Sequence, residues 1–170
     1  FDKNTFALLS TLQGHTARVT ALVVSEDKLV SGSMDATVKI WGINDFQLKS
    51  TIQVDQNVTA LALSGSCLYA GGHNSCVCFY DVFDELEFDE RRGSCDTSNW
   101  DIPIISLAVS DVNSKLFCGL EHSGEILVFS TETFAHVTTI TANDDDCSTC
   151  SLVVSGLKLF SGSTDGTIKV

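Results

Sequence analysis

The chain has 170 residues, of which 44% are hydrophobic and one is Pro, enough apolar material for a core and too little biased sequence for a disordered tract. Its 22 acidic residues outnumber 10 basic ones, and the net charge of −12 disfavours a phosphate-binding surface, so no nucleic acid is expected as a partner and a basic segment of another protein is. No apolar run reaches the roughly 18 residues of a membrane span and the first residues carry no leader pattern, so no membrane partner is expected either.

Phe1-Asp2 reads as the end of a strand, and Thr5 to Leu12 (TFALLSTL) as a strand of its own. Gln13-Gly14-His15-Thr16 is a connection. Val19 to Val24 (VTALVV) is nearly all apolar, the pattern of a strand buried on both faces. Ser25 to Lys28 is a turn, Leu29 to Ser31 a strand, Ser33 to Ala36 a tight turn, and Thr37 to Trp41 a strand in which Val38 and Ile40 alternate with Thr37, Lys39 and Trp41. Four antiparallel strands thus fit into each unit, and no stretch has helical periodicity.

The phrase LVSGSMDATVKIW (Leu29 to Trp41) recurs as LYAGGHNSCVCFY (Leu68 to Tyr80), LFCGLEHSGEILVF (Leu116 to Phe129) and LFSGSTDGTIKV (Leu159 to Val170). The chain therefore divides into repeats at about 1–41, 42–80, 81–129 and 130–170, and a repeat of this period decides the architecture. In the second repeat Gln47 to Gln53, Val58 to Leu63, Leu68 to Ala70 and Cys76 to Tyr80 are the strands. The third repeat is lengthened by the acidic stretch from Asp81 to Glu90, with Leu86 to Phe88 as its expected outer strand, before Ile104 to Val109, Leu116 to Cys118 and Glu125 to Phe129. The fourth has Ala135 to Thr141, an acidic connection at Asn143 to Asp146, and Cys150 to Val154 ahead of its hairpin.

A Gly14-His15 pair before an apolar strand, Ser31-Gly32-Ser33, a turn Asp35 and a terminal Trp41 resemble the WD repeat. The resemblance covers essentially the whole chain. It implies an all-β fold, a β-propeller fragment of about four four-stranded antiparallel blades, and a common count of seven blades puts about three more outside these residues. It also implies that His15, Ser31, Asp35 and Trp41 form one buried hydrogen-bonded set. The chemistry suits this: an Asp at a tight turn accepts backbone N–H groups, His can donate to it, and the indole only donates. Ser, His and Asp are also the residues of a nucleophilic triad, but nothing around Ser31 reads as a nucleophile elbow or an oxyanion loop, so the set is expected to be structural and the segment non-catalytic. The other repeats lack the Gly-His pair and place Asn74, Ser123 and Asp165 at the turn.

In such propellers the turn and the connection before the inner strand line one rim that meets partner peptides. The equivalents here are Thr16, Arg18, Met34, His73, His122 and Thr164. Two acidic stretches, Asp84 to Glu90 and Asn143 to Asp146, offer charge to a basic partner segment. Cys147 and Cys150 have metal-like spacing and Cys76 and Cys78 share a strand face, yet a zinc site takes about four ligands, so they read as core thiols and no metal or cofactor is expected. An odd count of 7 cysteines, scattered through apolar stretches, fits free thiols of a reducing compartment, cytoplasm or nucleus.

The expected function is that of a scaffold for other proteins or peptides. The short hairpin without a Pro-Asp-Gly turn is similar to repeats of plant zinc-finger proteins with a WD domain, of F-box and RING ubiquitin-ligase adaptors, and of myosin heavy-chain kinase propellers. That implies a substrate-recognition adaptor or, alternatively, the substrate-targeting propeller of a multidomain enzyme such as an alpha-type protein kinase. Both ends fall inside a repeat, so open sheet edges and a tendency to self-associate are expected.

Overall fold

Alternating side chains and short polar turns fold this chain into antiparallel ladders, with no helix among the described residues. The computed structural model describes residues 1–25, 27–73, 77–81, 91–95, 102–142, 144 and 146–170. The first sheet is β1 (Val19–Val24), β2 (Lys28–Ser33), β3 (Thr37–Gly42) and β4 (Leu48–Gln53), paired in that order. The second is β5 (Val58–Ser64), β6 (Cys67–Gly72), β7 (Val77–Asp81) and β8 (Arg91–Cys95); the third is β9 (Ile104–Ser110), β10 (Lys115–Leu120), β11 (Glu125–Ser130) and β12 (His136–Thr141). The last has three strands, β13 (Thr149–Ser155), β14 (Lys158–Ser163) and β15 (Ile168–Lys169). These are the blades of a propeller arc. The inner strands β1, β5, β9 and β13 pack side by side in chain order, and no comparable packing joins β13 back to β1.

The core lies between sheets. Val30, Val38, Ile40 and Ile52 of the first blade meet Val58, Leu61, Leu68 and Ala70 of the second. Ala60, Ala62 and Tyr69 of the second meet Ile104, Leu107 and Leu116 of the third, and Phe117, Ile126 and Val128 of the third meet Leu152, Val154 and Leu159 of the fourth.

Each junction needs a residue without a side chain on the second strand. A Cβ on Gly32 would stand 2.5 Å from Val58 Cγ1, one on Gly71 2.8 Å from Ile104 Cγ2, and one on Gly119 2.7 Å from the Thr149 carbonyl oxygen. The same strand pair carries a bulge, at Val19/Ala21 in the first blade and Val58/Ala60 in the second. The bulged residues Thr20 and Thr59 use their freedom from the ladder to cross to the next blade. Thr20 Oγ1 donates to the Val58 carbonyl at 2.6 Å, and Thr59 Oγ1 to that of Ile104. Ser106 Oγ makes the third crossing, to the Thr149 carbonyl at 2.6 Å.

Three expectations are corrected. β1 is not buried on both faces: Val19, Leu22 and Val24 are 46%, 61% and 65% exposed, because no sheet covers that side. Thr5 to Leu12 joins no ladder. Its turn nevertheless forms, with Asp2 N–H to the Ala7 carbonyl and Phe6 N–H to that of Asp2, the two bonds that Gly42 and Phe46 make between β3 and β4. The strand paired outside β7 is Arg91–Cys95; Leu86 to Phe88, once expected there, lie outside the described residues, as does most of the acidic stretch.

Replacing Gly71 by Ala should cost about 1–3 kcal/mol, since the new methyl meets Ile104 in a packed junction. Replacing Gly65, whose side faces open space, should cost less despite its positive φ. Urea unfolding of both variants checks this order.

Candidate functional site

The polar set is assembled by four pieces of backbone. β2 supplies Ser31 and β3 supplies Trp41, which is paired with Leu29. The turn between β2 and β3 supplies Asp35. His15 arrives from the connection ahead of β1, and Gly14 lets that connection pass over the indole, since a Cβ there would lie 3.1 Å from Trp41 Cη2.

The four side chains meet in a line. Trp41 Nε1–H donates to Ser31 Oγ at 2.8 Å. Ser31 Oγ lies 2.7 Å from His15 Nε2, and His15 Nδ1 lies 2.9 Å from Asp35 Oδ2. A carboxylate only accepts, so the neutral tautomer that serves both neighbours carries its proton on Nδ1 and receives the Ser31 hydroxyl proton at Nε2. Asp35 is further held by the Thr16 N–H at 2.8 Å and the Thr37 N–H at 3.0 Å, and by the Thr37 hydroxyl at 2.6 Å. The imidazole and carboxylate are 6% and 7% exposed.

Burial raises the pKa of Asp35, but the Thr37 hydroxyl, the Thr16 N–H and the His15 ring outweigh it and hold the carboxyl well below the usual carboxylate range. Ser31 is not placed for attack. It is buried, and its oxygen already accepts the indole N–H. The arrangement has the members of a triad and the accessibility of a core.

Thr37 belongs to the set and was missed in the sequence. The signal was there: Asp35-x-Thr37 returns as Asp165-x-Thr167, where the Thr167 N–H and hydroxyl both reach Asp165 Oδ1 at 2.7 Å. The Thr167 hydroxyl and N–H, aided by Lys169, lower the Asp165 pKa to about 2. No His joins that second turn.

The rim residues fall into groups. Thr16 and Arg18 are exposed, and Met34, half-buried, donates its N–H to the Arg18 carbonyl at 2.9 Å. His122 and Thr164 belong to neighbouring blades and are joined through Ser148, which receives the His122 N–H on its hydroxyl at 3.0 Å and donates its own N–H to Thr164 Oγ1 at 2.9 Å. Buried Ser148 is a second residue that sequence reasoning passed over. The His122 ring points outward, 75% exposed. His73 is exposed at the end of β6. Exposed Asp55, Asp144 and Asp146 stand on the connections that enter β5 and β13. Among the described residues no cluster of three or more His, Cys, Asp or Glu could hold a metal, and Cys147 and Cys150 are not joined in a disulfide.

The family model described as WD domain, G-beta repeat matches residues 6–42 and 131–170. These two segments read as WD repeats. The two matched segments are those with the Asp-x-Thr turn, and the unmatched middle is where Asn74 and Ser123 replace the Asp. The Arabidopsis thaliana protein "Zinc finger CCCH domain-containing protein 62" is 28% identical over 96% of this chain and 38% of its own length. Mouse "Pre-mRNA-processing factor 19" is 33% identical over 48% of this chain and 17% of its own. The chain spans 34–38% of the length of the curated plant relatives that it matches nearly end to end. Among solved structures, the computationally designed Ika4 protein superposes with a TM-score of 0.78 at 25% identity, covering 94% of this chain and 93% of that one, and the designed Ika8 protein with a TM-score of 0.77 at 24% identity, covering 93% and 46%.

Within this WD repeat, Asp35→Ala strands the donors that converge on the carboxylate and should destabilise the first blade by about 1–3 kcal/mol, more than Asp165→Ala at the exposed turn, as read by urea unfolding. The depressed pKa of Asp35 means that the folded state binds fewer protons than the unfolded one. Its contribution is complete above the unfolded value of about 3.9 and is lost as pH falls below it. Stability measured against pH from about 5 to 2 should therefore fall more steeply in the parent than in Asp35→Asn, with the Trp41 indole N–H resonance reporting the loss; equal slopes would remove Asp35 as the titrating group.

Proposed function

We propose that this chain is a non-catalytic platform for protein partners and that its rim receives a basic peptide segment. WD repeats serve protein–protein contact, and the occluded Ser31 gives no support to hydrolytic chemistry. The observation that carries the reading is the charge of the connections feeding the inner strands. Among the described residues there, exposed Asp55, Asp144 and Asp146, with Glu121 and Asp165 on the adjoining turns, stand against one exposed cation, Arg18. Such a surface attracts lysine- and arginine-rich segments and orients them before contact. His122, Thr164 and Thr16 then offer polar side chains beside the acidic positions.

At the finer level, the reading is substrate recognition within a ubiquitin ligase, supported by the resemblance of the short Pro-free hairpin to repeats of such adaptors. The rest of the protein then carries the ligase-recruiting part. The odd count of 7 cysteines, scattered through apolar stretches, supports a cytoplasmic or nuclear location.

On a peptide array, basic peptides should bind this chain and acidic ones should not. Reversing the charge at Asp55, Asp144 and Asp146 together should weaken that binding by about tenfold or more, and added salt should weaken it in the parent. Binding indifferent to peptide charge and to these substitutions would overturn the basic-partner reading. In the full-length protein, the same triple variant should abolish ubiquitination of a captured partner; phosphorylation of that partner in its place would favour the kinase-targeting alternative.

A further inference from the structure

A hydroxyl can take a phosphoryl group from another protein only where its oxygen is free and its backbone can be reached. Around the connection from the third blade to the fourth, several hydroxyls fail one condition or the other. Ser148 receives the His122 N–H, Thr164 receives the Ser148 N–H, and Thr139 Oγ1 lies 3.1 Å from His136 Nε2. Thr149 is fully buried. Thr141 differs from them. It is exposed as the last residue of β12, and among the described residues nothing bonds its hydroxyl.

That exposure belongs to the position in the blade. Thr141 pairs with Glu125 as Gln53 pairs with Thr37, and Gln53 is exposed as well, although the second blade packs against its own. β12 is the outermost strand of its sheet, laddered only to β11, so the other edge of the extended segment stays open to an incoming chain. Beyond Thr141, the Ala142 N–H bonds the Gly124 carbonyl at 2.9 Å and the Gly124 N–H bonds the Cys147 carbonyl at 2.7 Å. Exposed Asp144 and Asp146 stand between these two anchors.

The sequence then singles out this hydroxyl. Asp144, Asp145 and Asp146 follow Thr141 at the third, fourth and fifth residues. Of the other Ser and Thr in the chain, only Ser98 has an acid three residues on, at Asp101; it has none at the next two positions and lies outside the described residues. From Lys115 to Lys158 no other Lys or Arg occurs to repel a basic cleft. Lysines and arginines beyond a kinase's acceptor cleft pair with carboxylates placed in this way.

We propose that Thr141 is a phosphorylation site for an acid-directed protein kinase, one that selects acceptors followed by acids. Thr141 Oγ1 attacks the γ-phosphorus of ATP. The new P–O bond forms as the bond to the bridging oxygen of ADP breaks, and the hydroxyl proton passes to a carboxylate of the kinase. The phosphate adds about 1.5 to 2 negative charges. They stand opposite Glu125 and three residues before Asp144, and so deepen the acidic potential of this connection.

The test incubates the full-length protein with ATP and a purified acid-directed kinase and maps the phosphate by mass spectrometry. Phosphate should appear on Thr141, be lost in Thr141→Ala and be kept in Thr141→Ser. Asp144→Asn, a change at an exposed position, should preserve the β-sheet circular dichroism and slow incorporation at Thr141 by about tenfold or more. A kinase that selects acceptors preceded by arginines should leave Thr141 unmodified. The proposal is overturned by a Thr141 that stays unmodified in the folded protein, by equal rates in the parent and Asp144→Asn, or by Ser98 taking the phosphate in its place.

Discussion

Consecutive sheets in this chain approach until a second-strand glycine lies against the first residue of the next inner strand. At Gly32, Gly71 and Gly119 there is no room for a methyl group, and the rest of the architecture depends on that distance. It brings the bulged Thr20 and Thr59 within hydrogen-bonding reach of the next blade's backbone. It also lets the larger residues of one forward face, Val30 and Ile40 or Phe117 and Val128, close over the next inner strand. A single antiparallel sheet of this size has no second layer of its own. Stability is then a sum over junctions, as in other stacked repeats, and a face without a neighbour stays apolar and exposed.

The polar set of the first blade and the apolar packing of the third are two solutions at the same ladder positions. Where the first blade has Ser31, Lys39 and Trp41, the third has Cys118, Leu127 and Phe129. Phe129 is fully buried and meets the edge of His136 at 5.6 Å. Removing a donor together with its acceptor is close to neutral, whereas removing either alone leaves a buried group unpaired. That explains how repeats so different in motif can keep one backbone. The Ser-His-Asp line of the first blade is one fully satisfied version of an interior that the third blade fills with hydrocarbon.

Much of this was legible in the sequence because hairpins are local. The turns after Ser33 and Ser163 and the alternation of Val38 and Ile40 fixed their ladders without reference to anything distant. Asp35, His15, Ser31 and Trp41 could be named because the motif holds their types at fixed spacing. What was not legible depended on neighbours. Val19 to Val24 and Val58 to Leu63 have almost the same composition, yet one lies half in solvent and the other in a core, since burial is decided by the sheet alongside. Thr5 to Leu12 has the pattern of a strand and no partner to make it one. Thr37 escaped because Thr in a strand carries no signal alone, and only the second Asp-x-Thr turn at Asp165 marks it.

The set also reaches the surface. Asp35 Oδ2 takes both the His15 ring and the Thr16 N–H, while the next residue back in the same turn, Met34, donates its N–H to Arg18. The connection from His15 to Arg18 is thereby held at both ends by one turn, and two of its residues, Thr16 and Arg18, are exposed on the rim. A carboxylate kept ionised in a nearly closed site thus does two things. It satisfies donors that folding would otherwise leave unpaired, and it fixes an exposed loop. At the fourth blade that link is missing, since Asp165 holds only Thr167 and Lys169 of its own hairpin, and the turn there is tied instead through Ser148, which joins His122 of one blade to Thr164 of the next. These turns are therefore tied down at both ends of the arc in different ways, one by an ionised side chain and the other by a buried serine whose hydroxyl and backbone N–H reach two neighbouring sheets.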